Sequence, residues 1–542
     1  MGDFNLIDEH WIPCIDLSGQ RVDYGIRETL SNAHALCEIC DDSPLVTVAI
    51  HRLLLAVLYR AYSGPSDFNG WKVIFSGNSF DAKTISAYAD RWRERFNLFC
   101  PNKPFYQVGD LETKARISVN RLSTERASGN NATLFDHCAD DVLGEWTPAA
   151  AARQLVACQS FALGFGKSGN ATINGIEEIL PYSADAIALR GMNIWLQGES
   201  LFKTLAINLV PGEDNSQPPW ELGDPHQHRD RLQGKDRKVI SALGIVDRFT
   251  WQSRLVRLEP NPSKTVSRMN FTQGRSADKG IGDAMKVYRT SKEEGISPLS
   301  LNSGKAAWRD AHAILTIPAA GSKERRPESF NLLAKARSFD VVDASEPFVA
   351  QIVGLASAPK KAGKFLLWRH ERMPIPVALL SDVNLIERLG GLIQNAEQAA
   401  IELNSRTRRI AKLYLSPSSE SPDGRQPDKD EVTKVVESID PRPAYWARLE
   451  RHFFNLLEDL PNDWDEANSD WRPNDQQLAT STWRKQVKKE AQHALEESIR
   501  SLGTTARAIQ AVARVRTDFS DDDLKPPVQK AAKAKGKGGK KK

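Results

Sequence analysis

Cysteine is scarce in this chain, with six residues in 542. No secretory signal peptide is recognisable, so the thiols read as free in a reducing cytoplasm, not as a disulfide framework. Only Cys37-Glu38-Ile39-Cys40, with His34 three residues earlier, has ligand-like spacing. A structural zinc needs four ligands and no second pair follows at a usual distance, which leaves Cys37 and Cys40 as ordinary buried thiols and no metal. A long uncharged apolar run is also missing. The longest candidate, residues 45–62, carries His51, Arg52 and Arg60 and reads as a core helix, not as a membrane span. Acidic residues are absent from residues 525–542, which hold eight lysines, so the formal +4 of the whole chain becomes −4 for residues 1–524. Basicity is therefore concentrated at one end, and nucleic-acid contact by the body must come from local patches. The lysine-rich end cannot bury a core and is expected to be disordered, while still able to hold DNA or RNA electrostatically.

What is present is an apolar fraction of 40% in a length sufficient for two or more domains. The densest local signal is Gly164-Phe165-Gly166-Lys167-Ser168-Gly169. A mononucleotide-binding loop needs a glycine five residues before Gly-Lys-Ser, where this chain has Phe161, and a preceding strand. Here Thr147-Pro148 followed by an alanine-rich run reads instead as N-cap, first-turn proline and helix. The stretch is thus a glycine-rich exit from a helix: either a plain C-cap and turn, or backbone able to approach a ligand closely.

Along the chain, Ser43 and Pro44 start a strong helix, and residues 81–99 carry aromatics at helical spacing that read as core. Short apolar runs at 194–196, 206–210, 254–258 and 313–317 have β character without βαβ periodicity. From residue 376 the pattern becomes helical, with Ser381 as candidate cap of a helix through 413 and further helices over 431–439, 443–460, 480–502 and 504–515. One apolar face per helix and short polar loops predict an antiparallel four-helix bundle. The expected fold class is α+β: an irregular N-terminal domain (1–375), the bundle (376–518) and a disordered tail (519–542). Residues 134–141 hold Asp136, His137 and Asp140 after a long polar loop. Alone they suggest a metal-dependent hydrolase or nuclease, but no partner histidine motif supplies further ligands, and the aspartates read better as caps and loop tethers.

A set of short motifs runs in fixed order: Trp11-Ile12-Pro13, Ser43-Pro44-Leu45, Pro104-Phe105-Tyr106-Gln107, Thr133-Leu134-Phe135-Asp136-His137, Gln159-Ser160-Phe161, Pro219-Trp220-Glu221, Thr250-Trp251-Gln252-Ser253-Arg254, Trp368-Arg369-His370-Glu371-Arg372 and Tyr445-Trp446-Ala447-Arg448. In this order, over residues 4–515, the chain resembles the CasA family, the large subunits of the type I-E CRISPR surveillance complex Cascade. The lysine tail lies outside the resemblance.

The resemblance implies a non-catalytic cytoplasmic subunit without cofactor. Its partners would be the other Cascade subunits with their guide RNA, target duplex DNA, and a recruited nuclease-helicase. It implies inspection of a protospacer-adjacent motif from the minor groove, where bare backbone can enter and the donor/acceptor pattern is degenerate. Gly164, Gly166 and Gly169 match the glycine loop, with Lys167 on an adjacent phosphate. Lys264 matches the lysine finger, with Arg268 as the alternative. The strand wedge would precede Trp368; that stretch has no glutamine, which the resemblance would lead one to expect, and offers Pro359, Lys360 and Lys361 instead. Phe135, Asp136 and His137 would dock the chain onto the complex near the guide's 5′ end.

Overall fold

The computed structural model describes residues 3–525 except 127–143, 165, 168, 174, 181, 223–238, 279–281, 292–294, 344–345, 358–364 and 466. The fold is mixed α+β and divides into two compact units, Met1–Ser381 and Asp382–Lys542.

The first unit is built around the helix Pro44–Ala61. Every residue from Pro44 to Tyr59 is buried, so the helix runs through the core and not along a surface. It is long and apolar enough to cross a membrane, yet 89% of that window is buried inside the unit. Burying it all round also buries its polar residues, and each finds a partner. Arg52 forms a 3.0 Å ion pair with Asp283, both side chains almost fully buried. Burial works against the Asp283 carboxylate, but Arg52 holds it far below the ordinary range. The His51 Nδ1–H donates to the Thr47 carbonyl at 2.8 Å, and burial pushes this imidazole down to about 4, so it is neutral. Arg60 meets Glu221 at 2.6 Å, and Glu221 also accepts from the Tyr88 hydroxyl, which accepts in turn from the Trp220 indole.

Small, mostly antiparallel sheets surround this helix. One orders Arg21–Tyr24, Ile12–Asp16 and Leu36–Ile39; a second orders Asn193–Gln197, Val349–Ser357 and Phe365–Pro374; a third orders Arg254–Pro260, Val266–Gln273 and Ile117–Ser118. Two runs expected to be strand-like are helical. Residues 206–208 belong to the helix Leu201–Asn208, capped by the Ser200 side chain, and 313–315 to the helix Ala311–Leu315. The first is buried on nearly every side and the second is only five residues long, so neither carries a period by which helix and strand can be told apart. The helix expected over 81–99 ends at Trp92 and continues as a 3-10 turn, Arg93–Phe96.

The second unit is rich in long helices: Val383–Leu415, Lys429–Ser438, Arg442–Asp459, Leu478–Ile499 and the shorter Ala506–Ala513. Asp382, not Ser381, caps the first, its carboxylate accepting from the amides of Asn384 and Leu385. Leu385, Leu389, Leu392, Ala396, Ala399 and Leu403 bury one face at helical spacing. Polar atoms cross the interfaces: the Trp483 indole donates to the Leu392 carbonyl and the Tyr445 hydroxyl to the Ala396 carbonyl, each at 2.9 Å, and the buried Arg406 pairs with Asp523 at 3.2 Å.

Candidate nucleic-acid interface

Thr147 caps the helix Pro148–Phe161, its side chain accepting from the Ala150 amide, and Pro148 occupies the first turn. The helix ends at Phe161, and the glycine stretch beyond it is more than a turn. Gly166–Lys167 form a short strand paired antiparallel with Tyr182–Ser183, Gly166 opposite Ser183 and Lys167 opposite Tyr182. The result is a two-stranded ribbon standing on two legs, residues 162–164 and 184–185.

Arg254 fixes both legs. Its buried guanidinium donates from Nη2 to the carbonyls of Leu163 (2.9 Å) and Ala184 (2.7 Å), more weakly to Ala162 (3.3 Å), and from Nη1 to the Gln273 amide oxygen (3.0 Å). Burial pushes this group down to about 10, so it is still cationic at neutral pH. Gln273 Oε1 also accepts from the Ala184 amide, and Gln159 exchanges two hydrogen bonds with the Arg254 backbone. On the outer side, Asp185 Oδ1 accepts from the Gly164 amide at 3.0 Å while Oδ2 takes two bonds from Arg190. Lys286 ties down the following turn by donating to the carbonyls of Ile187 and Arg190.

The glycines serve different ends. A Cβ on Gly164 would meet the Ser183 carbonyl oxygen at 2.9 Å, so this position is small because the legs pack against each other. Gly169 has φ +78° and open space around it, and turns the chain left-handed out of the ribbon. Gly166 and Lys167 thus lie in the ribbon, Gly164 in its leading leg, and Gly169 beyond it, before the strand Asn170–Ile173.

Lys264 is elsewhere. It sits exposed, at φ +64°, in the turn joining Arg254–Pro260 to Val266–Gln273. Asn261 shapes that turn: its side chain accepts from the Thr265 amide and donates to the Thr265 hydroxyl. Glu145 holds both residues, and Trp146 pairs with Val266. The turn therefore rests at the N-terminal end of the helix Pro148–Phe161, whereas the ribbon leaves its C-terminal end. A helix of 14 residues spans about 21 Å, and the strand from Arg254 to Pro260 covers about 20 Å. Both rulers separate the Lys264 turn from the foot of the ribbon by about 20 Å, roughly six base pairs of duplex. Arg268 is exposed on the neighbouring strand, opposite Glu259, which is itself paired with Arg116 at 2.8 Å.

The wedge candidates Pro359, Lys360 and Lys361 lie outside the described residues, between the strands Val349–Ser357 and Phe365–Pro374. Phe135, Asp136, His137 and Asp140 also lie outside them. Among the described residues no group of three or more His, Cys, Asp or Glu could hold a metal. Cys37 lies on the strand Leu36–Ile39 and Cys40 just beyond it; Cys37 is half-buried and Cys40 exposed, so they are not the buried thiols expected from the sequence. Partial burial, reinforced by Glu38, raises both thiols above their ordinary range. Sequence reasoning named Arg254 only as a motif member and did not single out Asp185, Gln273 or Lys286, although these hold the ribbon. The one available signal was an arginine closing an otherwise apolar and polar-neutral motif, Thr250-Trp251-Gln252-Ser253-Arg254.

The family model for CRISPR-associated protein Cse1 matches residues 5–494. The chain belongs to the CasA/Cse1 family. It is 31% identical over 527 residues to the CRISPR-associated protein CasA/Cse1 of Thermus thermophilus, covering 95% of this chain and 96% of that protein. The solved structure of Thermus thermophilus CasA superposes with a TM-score of 0.74 at 26% identity, over 97% of this chain and 98% of that one. At lower identity the fold is shared with Cse1 from Acidimicrobium ferrooxidans (TM-score 0.73, 24% identity, 97% of each chain). It is shared too with a chain of a CRISPR RNA-guided surveillance complex (TM-score 0.70, 19% identity, 95% and 99% covered).

Proposed function

We propose that this chain is the non-catalytic large subunit of a cytoplasmic, RNA-guided type I-E CRISPR complex. In this role it inspects the protospacer-adjacent motif of duplex DNA from the minor groove, aids duplex opening and R-loop formation, and recruits the nuclease-helicase. Family membership and the fold shared with an RNA-guided complex support the setting. The observation that carries the DNA-reading step is the glycine ribbon, which offers side-chain-free backbone at Gly166 on legs fixed by Arg254. Such backbone suits a narrow groove whose floor offers few distinguishing groups.

The long helices of the second unit form an antiparallel four-helix bundle in this reading, and serve as a platform for the other subunits. Pro359, Lys360 and Lys361 part the strands; Phe135, Asp136 and His137 dock near the guide; the lysine tail adds salt-dependent affinity. The separation of about 20 Å divides the labour between the two described contact regions. The ribbon reads the motif, while Lys264, aided by Arg268, engages the flanking duplex.

The test is duplex binding by the reconstituted complex. Gly166→Asp places a carboxylate on the ribbon and is expected to abolish motif discrimination. Lys264→Ala is expected to weaken all duplexes alike, by about threefold to tenfold at moderate salt, with guide-matched single-strand binding unchanged. Equal loss on duplex and single strand would contradict the assignment.

A further inference from the structure

We infer that Asp185 and Arg254 are positioning residues for motif reading: together they set the spacing and pitch of the glycine ribbon. The inference rests on the reading that the ribbon meets DNA, and goes beyond it by assigning the parts that hold the ribbon in a reading geometry.

The two legs of the ribbon are not adjacent in sequence. Above, their two-residue pairing leads into the hairpin of Asn170–Ile173 and Ile176–Ile179, which pairs in turn with Glu112–Thr113. Below, one guanidinium fixes the legs, because Arg254 Nη2 bonds a carbonyl on each, Leu163 and Ala184. Its planar fork offers donors in fixed directions, so it sets the distance between the legs as well as their attraction. The same arginine is keyed into the core through Gln159 and Gln273, so leg spacing is referred to the strand pair and the helix.

Asp185 adds the second constraint. It grips the Gly164 amide, at the foot of the leading leg, and Arg190 holds its other oxygen. With both constraints the leading leg can neither slide nor tilt, and the backbone at Gly166 and Lys167 meets a ligand in one conformation. Preorganisation of this kind is what allows backbone to discriminate, because a loose ribbon would adapt to any groove and reject none.

The experiment uses the assembled complex and compares three substrates: a motif-bearing duplex, a duplex with a scrambled motif, and a guide-matched single strand. Asp185→Ala removes the Gly164 contact at a partly exposed position, where the side chain is 28% accessible. Its expected effect is a loss of motif discrimination of about tenfold, the size of one hydrogen bond to a charged group. Single-strand affinity and complex assembly should be retained. Asp185→Asn, which still presents an oxygen to the Gly164 amide, should recover most of the discrimination; a merely structural role for the charge would give no such rescue. Arg254→Lys, which keeps the charge but lacks the fork, should lower discrimination further. Gly166→Asp runs in parallel. Unchanged discrimination in Asp185→Ala and Arg254→Lys, with Gly166→Asp defective, overturns the positioning role alone. Normal discrimination in all three variants removes the ribbon from DNA reading, and this inference with it.

Discussion

The two units solve the same problem, holding helices and strands in place, by different means. In the second unit each long helix buries one apolar face, and buried polar groups sit between elements: Tyr445, Trp483, Arg406 with Asp523, and Asp463 on the Ala479 and Thr480 amides. In the first unit the central helix is buried all round, and charged side chains lie inside the core: Arg52 with Asp283, Arg275 with Asp247, and Arg254 against backbone carbonyls. An apolar interface tolerates small adjustments at modest cost. A buried polar network has one satisfied arrangement and a steep penalty for others. The unit that carries the candidate reading ribbon rests both its central helix and the ribbon's legs on the demanding kind of contact.

The contrast can be broken most sharply at Arg52. Arg52→Leu leaves Asp283 buried without its bidentate partner and should destabilise the first unit by about 3–5 kcal/mol, seen as a lower denaturant midpoint of the full chain. A loss below about 1 kcal/mol would show that water or a neighbour readily replaces the arginine. At the other extreme, Tyr445→Phe removes one hydroxyl from a well-packed interface of the second unit. It should cost only about 1 kcal/mol, measured in the same way. If the two variants cost the same, the distinction between the units fails.

The same distinction explains what could be read in advance. The second unit was legible because one-faced helices have a period, and Leu385, Leu389 and Leu392 show it directly. The helix Pro44–Ala61 was legible from its first-turn proline despite lacking a polar face, although Ser43 at its N-cap makes no side-chain capping bond. Residues 206–208 were not, because burial on all sides erases the period, and 313–315 were not, because their helix is only five residues long. The motifs that carried the family resemblance are, where described, mostly joints. Gln107 bridges the Leu98 carbonyl and the Leu258 amide, Glu221 gathers Arg60 and Tyr88, and Glu371 receives the Ala307 amide. Local sequence gives no sign of this, since the partners of Gln107 and Glu221 include residues more than a hundred positions away. The glycine stretch was found from its composition alone, but its form as a ribbon depends on Tyr182–Ser183 and Arg254, which no spacing rule connects to it.

Binding of a target duplex by the guide-loaded complex, measured across all variants of the adjacent motif with and without this chain, tests the central claim most directly. With the chain present, affinity should depend on the motif, and without it that dependence should vanish while pairing to a matched single strand persists. Motif dependence that survives removal of the chain would contradict the account.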